Sequence, residues 1–513
     1  MAYKWDELNQ KVIDLFQAGK YDEALQAAQK AAQAAREAGD RQHLALGLSN
    51  VGEMYQTLGD YANAEQTKRE ALAVYQQAYG PEHPETAATL YSLAVLYVEM
   101  GRYPDAEGLF RQELAIREKT QGAEHIDLVQ ALIGLAESLR PQNRSGEARG
   151  YLERAVAILE KTWGESNPEL GPVLVSLADT YQGGEAELEQ GGKFLRRALK
   201  LYEDTVGPDH PAFAQALGKL AENYMARGMY QAAQPLLEQV IAFLKENYPE
   251  GDPETARLLE KQAEVFQVTG QNDKIEACLK EALEIYGKTV GEEDPAMAQA
   301  QNALGEYYFT QEKLDQAKPL YEAALKTRKA ALGENHPAVA QSLNNLAVLL
   351  AKQGSLSDAE ELHLQALAIR REVFGPKHLV VSQSLENLAG VYQGMEEYQK
   401  GAQLLREAIA ILEENVGADH LSVAEDCYNL GALLFAGGEY KQAEEVLLRA
   451  RKILVDKYGK DHMNLCAVYN ALSAVCEKMG YQTEAQEYML RVAKIYKKEW
   501  ARMDQEKENG KNK

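Results

Sequence analysis

Histidines recur at one position of the sequence, three residues after a glycine, and histidine is a common metal ligand. They are His83, His125, His210, His336, His378, His420 and His462, while Asn167, Asp252 and Asp294 take the equivalent position in related segments. Two zinc ligands must lie within about 4 Å of each other, whereas packed helices are roughly 8–10 Å apart. No HExxH sequence is present either. We therefore predict no metal site and interpret this position as the N-cap of a helix.

A glycine-rich segment, GGEAELEQGGKF from Gly183 to Phe194, is the second place where chemistry could occur, because such loops can hold phosphates. Glu187 stands where a phosphate loop has its first glycine, and Phe194 follows Lys193. The segment therefore does not predict a nucleotide site. Since no nucleophile with a neighbouring base interrupts the pattern of the chain, the sequence predicts a protein that is not an enzyme and binds no cofactor.

Composition and charge exclude other classes of protein. The 513 residues are 45% hydrophobic and 26% charged, which predicts a folded protein with a large core. Acidic residues outnumber basic ones by 78 to 55, and the net charge of -23 disfavours nucleic-acid binding. The sequence shows neither a secretory signal nor an apolar stretch of about 18 residues, so we expect no membrane partner. Four cysteines without a CxxC pair favour a cytoplasmic location.

The histidine-containing linkers repeat at a nearly constant interval. They end at Pro84, Ile126, Pro168, Pro211, Pro253, Pro295, Pro337, Leu379, Leu421 and Met463, in steps of 42 residues with one step of 43. Between them lie two segments with apolar residues at helical spacing, joined by a turn such as GDYANA or GEYKQA. Each repeat is therefore predicted to be a hairpin of two helices, and the chain an all-α repeat protein.

About twelve antiparallel hairpins fit the chain. The predicted units are 1–40, 41–82, 83–124, 125–166, 167–209, 210–251, 252–293, 294–335, 336–377, 378–419, 420–461 and 462–500. We expect residues 1–500 to form one continuous solenoid and the polar residues 501–513 to be a disordered tail. Because Pro141 and several glycines fall between residues 139 and 194, a local irregularity or hinge is expected there.

The repeat resembles the tetratricopeptide repeat (TPR), in the 42-residue variety of kinesin light chains. One unit reads PAVAQSLNNLAVLLAKQGSLSDAEELHLQALAIRREVFGPKH, and its signature positions are Leu343, Leu346, Ala347, Leu350, Ala359 and Ala366. The resemblance implies a right-handed superhelical α-solenoid whose first helices line a concave groove that receives peptides or helices of partner proteins. Kinesin light chains bind the motor heavy chain through an upstream coiled coil, and since no heptad segment precedes the repeats, that partner is not expected.

The resemblance also indicates which residues line the groove. The position two residues before the small residue of each first helix holds three consecutive asparagines, Asn345, Asn387 and Asn429, which we call the Asn ladder. Further amides lie beside it, at Asn302, Asn344, Asn470, Gln299, Gln341 and Gln383. Because an amide offers a donor and an acceptor together, these residues are predicted to bind the backbone of an extended peptide. The alternative is that they cap helices, bridge repeats or are merely solvated.

A neighbouring groove position changes character along the chain. It is acidic in earlier units, at Glu53, Glu137, Asp179, Glu222, Glu264 and Glu306, and apolar or small later, at Val348, Gly390, Ala432 and Ala474. We therefore expect residues 299–478, with Val348 in the floor, to bind the peptide. The acidic stretch is expected to favour basic partners.

The repeats and their groove are compatible with two functions. The first is a non-enzymatic scaffold or adaptor that holds an extended peptide or helix of a partner protein. The alternative is a regulatory receptor for a peptide or small ligand, in which binding changes the curvature of the superhelix.

Overall fold

The computed structural model describes residues 5–511, with side chains from 5 to 501, and the chain divides into two compact units, Met1–Pro249 and Glu250–Lys513. This described part contains 24 α-helices and two short 3-10 helices. Consecutive helices pack in pairs, from α1 with α2 to α23 with α24. The predicted all-α class and helical-hairpin repeat are therefore confirmed.

The first unit contains the twelve helices α1 to α12. Their bounds are Trp5–Gln17, Tyr21–Ala38, Arg41–Thr57, Tyr61–Tyr79, Pro84–Glu99, Tyr103–Gln121, Leu128–Leu139, Ser145–Trp163, Leu170–Ala178, Glu185–Thr205, Pro211–Ala226 and Tyr230–Asn247. The core lies between the helices and continues from one hairpin to the next, through leucines and alanines such as Leu132, Leu152 and Leu174.

The second unit contains α13 to α24. These helices are Pro253–Thr269, Asn272–Thr289, Pro295–Thr310, Leu314–Leu332, Pro337–Lys352, Leu356–Phe374, Leu379–Gly394, Tyr398–Val416, Leu421–Ala436, Tyr440–Tyr458, Cys466–Met479 and Gln482–Lys511. Odd-numbered helices pack on even-numbered ones both within a hairpin and between neighbouring hairpins, for example α20 on α21. Each first helix from α15 to α23 is thereby held between two second helices.

The linkers end one helix and start the next. Gly333 follows α16 with φ 83°, a left-handed conformation that only glycine adopts at little energetic expense. Three residues later, the Nδ1 atom of His336 accepts a hydrogen bond of 3.1 Å from the backbone N–H of Ala338. His83, His210, His378, His420 and His462 cap their helices in the same way. The interpretation of this position as an N-cap is confirmed.

Small residues in the first helices allow close packing against the second helices. A Cβ atom added to Gly431 of α21 would lie 2.6 Å from Cγ of Leu447 on α22. Gly431→Ala is therefore expected to lower the free energy of unfolding by about 1–2 kcal/mol, because Leu447 must leave its rotamer. Gly390→Ala is the matched control, since no atom lies within 4 Å of that added Cβ. Urea unfolding should show the control unchanged or stabilised by about 0.5–1 kcal/mol; equal losses in both variants would contradict the packing argument.

The region between residues 139 and 194 is locally irregular, as expected from its proline and glycines. The helix α7 ends at Leu139 and continues as the 3-10 helix Arg140–Gln142, which contains Pro141. The next first helix, α9, spans only 9 residues. Gly184 then begins α10 from an extended conformation.

Helix α24 extends through most of the stretch for which the sequence predicts a disordered tail. It continues from Gln482 to Lys511, so that 501–511 are helical, while residues 512–513 lie outside the described residues. This stretch is rich in residues with good helix propensity, such as Glu, Lys, Met and Gln. Extending an existing helix also needs no new nucleation. Polarity alone therefore does not predict where such a helix ends.

Candidate functional site

Some first helices of the second unit contact one another directly. In addition to packing on second helices, α17 contacts α19 and α21 contacts α23. A cavity opens between α13, α14 and α15 on the same side, where it is lined by Lys261, Gln299 and Asn302. We call the surface formed by α13, α15, α17, α19, α21 and α23 the groove.

Two of the predicted asparagines connect neighbouring hairpins. The Nδ2 atom of Asn345 on α17 donates to Oδ1 of Asn302 on α15 at 2.9 Å. Asn387 on α19 donates in the same manner to Asn344 on α17, also at 2.9 Å. Asn344 is almost buried, with 7% of its surface exposed, whereas Asn345 and Asn387 are half-buried. These amides bridge adjacent repeats, which is part of the alternative that the sequence left open.

A buried arginine extends this network. Arg370 of α18 donates from Nη2 to Oε1 of Gln341 at 3.1 Å, and Gln341 donates to Oδ1 of Asn345 at 2.8 Å. The other terminal nitrogen of Arg370 donates to the hydroxyl of Ser384 at 2.7 Å and to the carbonyl of Val380 at 3.3 Å. The guanidinium therefore links the groove surface of α17 to the buried side of α19.

Three of the remaining predicted residues are more exposed to solvent than Asn344, Asn345 and Asn387. Gln383, Asn429 and Asn470 are exposed, and no hydrogen bond from their side chains occurs within the part of the chain that the structure describes. Val348 is half-buried on α17. The structure thus places all of the predicted amides on first helices of the second unit. Among these amides, the hydrogen bonds within the described residues join Gln341 to Asn345, Asn345 to Asn302 and Asn387 to Asn344.

The cavity has a volume of about 530 Å³, and its lining contains both polar and apolar side chains. Its charged residues are Arg257, Glu260, Lys261, Glu264 and Glu306. Lys261 and Glu264 pair at 3.4 Å. Because Asn302 lines the cavity and also bonds Asn345, the cavity is continuous with the amide network.

Three carboxylates of the groove have raised pKa values because they are partly or fully buried. Burial raises the pKa of Glu260 to about 7, although the hydroxyl of Tyr286 donates to it at 3.2 Å. Burial also raises the pKa of Glu386 on α19. The pKa of Asp426 on α21 is raised to about 7 by burial and by the charges of Glu386 and Glu425.

The predicted acidic positions of the first unit are partly neutralised by bases of the same unit. Glu53 binds the buried ammonium of Lys68 at 2.5 Å. Asp179 pairs with Arg140 at 3.0 Å and with Lys219 at 3.4 Å. Their charge is therefore less available to a basic partner than the sequence suggests.

Sequence reasoning missed Glu260, Glu386, Asp426 and Arg370. A signal for the two glutamates was present, because the 42-residue register that relates Asn302 to Asn344 also gives Glu260 and Glu386. Arg370 and Asp426 lie inside apolar helical patterns, and burial of a charged residue at such a position follows only from the packing of three helices.

The paired helices and the 42-residue period define an α-helical repeat protein. A family model for the tetratricopeptide repeat matches residues 44–119, 97–161, 169–246, 254–330, 297–372, 338–414, 380–454 and 427–498. The chain belongs to the tetratricopeptide repeat family.

Two solved structures are similar over part of the chain. A Podosopora anserina protein of nearly identical TPR-like repeats, described as a kinesin light chain, is 28% identical, with a TM-score of 0.36 over 39% of this chain and 94% of its own. BtubC from P. vanneervenii is 25% identical, with a TM-score of 0.38 over 46% of this chain and 90% of its own. No match was found among curated proteins. Within the described residues, every helix is too short or too polar to cross a membrane.

Proposed function

We propose that the protein is a non-enzymatic scaffold whose groove in the second unit holds an extended polypeptide of a partner protein. The observation that supports this most strongly is the row of amides on successive first helices, from Asn302 through Asn345 and Asn387 to Asn429. Successive members lie on adjacent repeats, so an extended chain running across the repeats meets one amide after another.

The hydrogen bonds between repeats leave capacity for a ligand. An asparagine side chain can donate two hydrogen bonds and accept two. Asn345 uses one donor, to Asn302, and one acceptor, from Gln341. Asn387 uses one donor, and Asn429 uses none within the described chain. The bridging bonds hold these side chains in place, and the unused donors and acceptors are available to a peptide backbone.

The triple variant Asn345→Ala, Asn387→Ala, Asn429→Ala tests this function. Because each lost hydrogen bond contributes about 0.5–1.5 kcal/mol, we expect the dissociation constant of a bound peptide to rise by at least roughly tenfold. The peptide is selected on an immobilised array with the wild type and then measured by fluorescence anisotropy. Circular dichroism should show that the variant remains folded.

The control removes three exposed amides outside the groove, by Gln365→Ala, Gln403→Ala and Gln442→Ala. These side chains lie on the second helices α18, α20 and α22. Peptide affinity is expected to stay within twofold of wild type. If the groove triple also left the affinity unchanged, the amide row would not be the binding site.

A second candidate function is a receptor for a small ligand, and the cavity between α13 and α15 favours it. Its volume of about 530 Å³ is within the range of small-molecule sites. Small-angle scattering with and without ligand distinguishes the two functions, since a receptor that changes curvature on binding would change its radius of gyration and a rigid adaptor would not.

We also infer a cytoplasmic location. All four cysteines are buried, and none of them forms a disulfide bond within the described residues, as is usual for thiols in a reducing compartment. Fractionation of the source cell tests the location.

A further inference from the structure

The hydrogen-bond pattern of successive hairpins in the second unit changes at one place. Arg328 on α16 donates to Ser342 at 2.9 Å and to the carbonyl of Ala338 at 3.1 Å. One repeat later, Arg370 makes the equivalent bonds to Ser384 and Val380. In both repeats, an arginine of the second helix binds residues 10 and 14 positions further along the chain.

The next repeat lacks this arginine. The residue 42 positions after Arg370 is Leu412, and the residue 42 positions after Ser384 is Asp426. A neutral hydroxyl is thus replaced by a carboxylate, and the cation by an alkyl side chain. Asp426 is only 3% exposed, and its Oδ2 atom has no hydrogen-bond partner.

The other polar pairs of the pattern are also missing between α19 and α21. Gln383 takes the position of Gln341, which accepts from Arg370, but no arginine faces it. Asn429 and Glu386 take the positions of Asn387 and Asn344, and no hydrogen bond joins them in the described part of the chain. Asp426, Glu386 and Glu425 are close enough to repel one another electrostatically.

The charged groups around these carboxylates do not neutralise them. From α22, Arg449 binds Glu413 of α20 and the carbonyl of Ala418 instead. From α18, Arg371 pairs with Glu407 at 2.6 Å. The cluster formed by Gln383, Glu386, Glu425, Asp426 and Asn429 therefore has an excess of negative charge and of hydrogen-bond acceptors.

We propose that the groove between α19 and α21 binds an arginine side chain of the partner polypeptide, whose guanidinium approaches Asp426 and Gln383 from the groove surface and supplies the donors that Arg370 supplies one repeat earlier. A guanidinium fits because its donors diverge in a plane, and Arg370 already uses them to reach both a buried group and a glutamine on the groove surface. An ammonium is a point charge that does not present this planar fork. A metal ion is disfavoured, because no set of three or more His, Cys, Asp or Glu in the described residues could hold one.

This inference rests on the proposed function, since the arginine belongs to a polypeptide bound along the amide row. It adds a requirement on the sequence of the partner, a basic residue opposite α19 and α21. The adjacent amides Asn387 and Asn429 contact the backbone, while the carboxylates select the side chain.

The test uses two fluorescent pentapeptides, acetyl-Ala-Ala-Arg-Ala-Ala-amide and its citrulline counterpart, which has nearly the same shape without the charge. With the full-length wild type, the arginine peptide should bind at least tenfold more tightly. Asp426→Ser reproduces the residue of the preceding repeats and should reduce this preference to less than twofold. Leu412→Arg should abolish it as well, because an internal guanidinium then fills the site.

Glu445→Ser is the matched control. It removes one exposed carboxylate from α22 and should leave the preference for arginine intact. Asp426→Asn provides a second variant, and thermal unfolding verifies the fold of each protein. Equal binding of the two peptides to the wild type, or an unchanged preference in both Asp426 variants, would overturn the arginine site. If both peptides still lost affinity in the triple asparagine variant, the proposed peptide groove would stand without the arginine site. If neither peptide bound at 5 mM, the result would count against both the groove and the arginine site.

Discussion

Replacing Asp426 with serine is expected to raise the free energy of unfolding at pH 8 by roughly 2–4 kcal/mol. Burial, with the charges of Glu386 and Glu425, raises the pKa of Asp426 from its usual value near 3.8 to about 7. In the unfolded chain this carboxyl ionises near pH 4, but in the folded protein only near pH 7. The folded wild type therefore holds an extra proton between these values, and its stability falls as the pH rises from about 4 through 7.

The serine variant lacks this titration. Its stability should resemble that of wild type at pH 4 and exceed it at pH 8, as measured by urea unfolding followed by circular dichroism. Some pH dependence should remain in both proteins, because the pKa values of Glu260 and Glu113 are also raised to about 7 by burial. Glu445→Ser, at an exposed carboxylate, should change stability by less than about 0.5 kcal/mol. A serine variant that is less stable than wild type at pH 8 would show that other interactions compensate the buried charge of Asp426.

Arg370→Ala is expected to lower the free energy of unfolding by roughly 2–4 kcal/mol. Arg370 is 5% exposed, and its guanidinium connects Gln341 on α17 with Val380 and Ser384 on α19. Alanine removes these charge-assisted hydrogen bonds and the packing of the long side chain, and it leaves a cavity between three helices. Urea unfolding at pH 7 measures the effect.

Arg406→Ala serves as the comparison for this variant. Arg406 is exposed on α20, where it donates to Gln442 at 2.7 Å. Since exposed polar contacts contribute little, its loss should change stability by less than about 1 kcal/mol. Arg370→Ala should also weaken peptide binding at Asn345, because Gln341 is no longer held in place. Similar stabilities of the two alanine variants would contradict the role of the buried guanidinium.

The helices could be predicted from the sequence because their signals are local and repeated. Gly333 and His336 mark a boundary by backbone conformation and by capping, neither of which depends on distant residues. Gly431 could be assigned to a close contact because the small residue recurs at the same position of successive repeats. The helical extension of 501–511 was missed, since polarity does not by itself oppose a helix that continues from a packed one.

The candidate site could be predicted in part. The period identified which amides share a surface, but it could not show that Asn345 bonds Asn302 rather than solvent, because that depends on the spacing between α15 and α17. The charged residues of the site were even harder to predict from the sequence. The sequence around Asp426 does not show that this carboxylate lacks a cation. The missing cation becomes apparent only at Leu412, which lies 14 positions earlier on another helix.

The hydrogen bonds from Arg370 through Gln341 and Asn345 to Asn302 all point in one direction, with each side chain donating to the next. Aligned amide dipoles reinforce one another. Asn302 ends this series, and it accepts at Oδ1, so its Nδ2 hydrogens are left to face the cavity. A chain lying there is therefore expected to orient a carbonyl oxygen, and not an N–H group, towards Asn302.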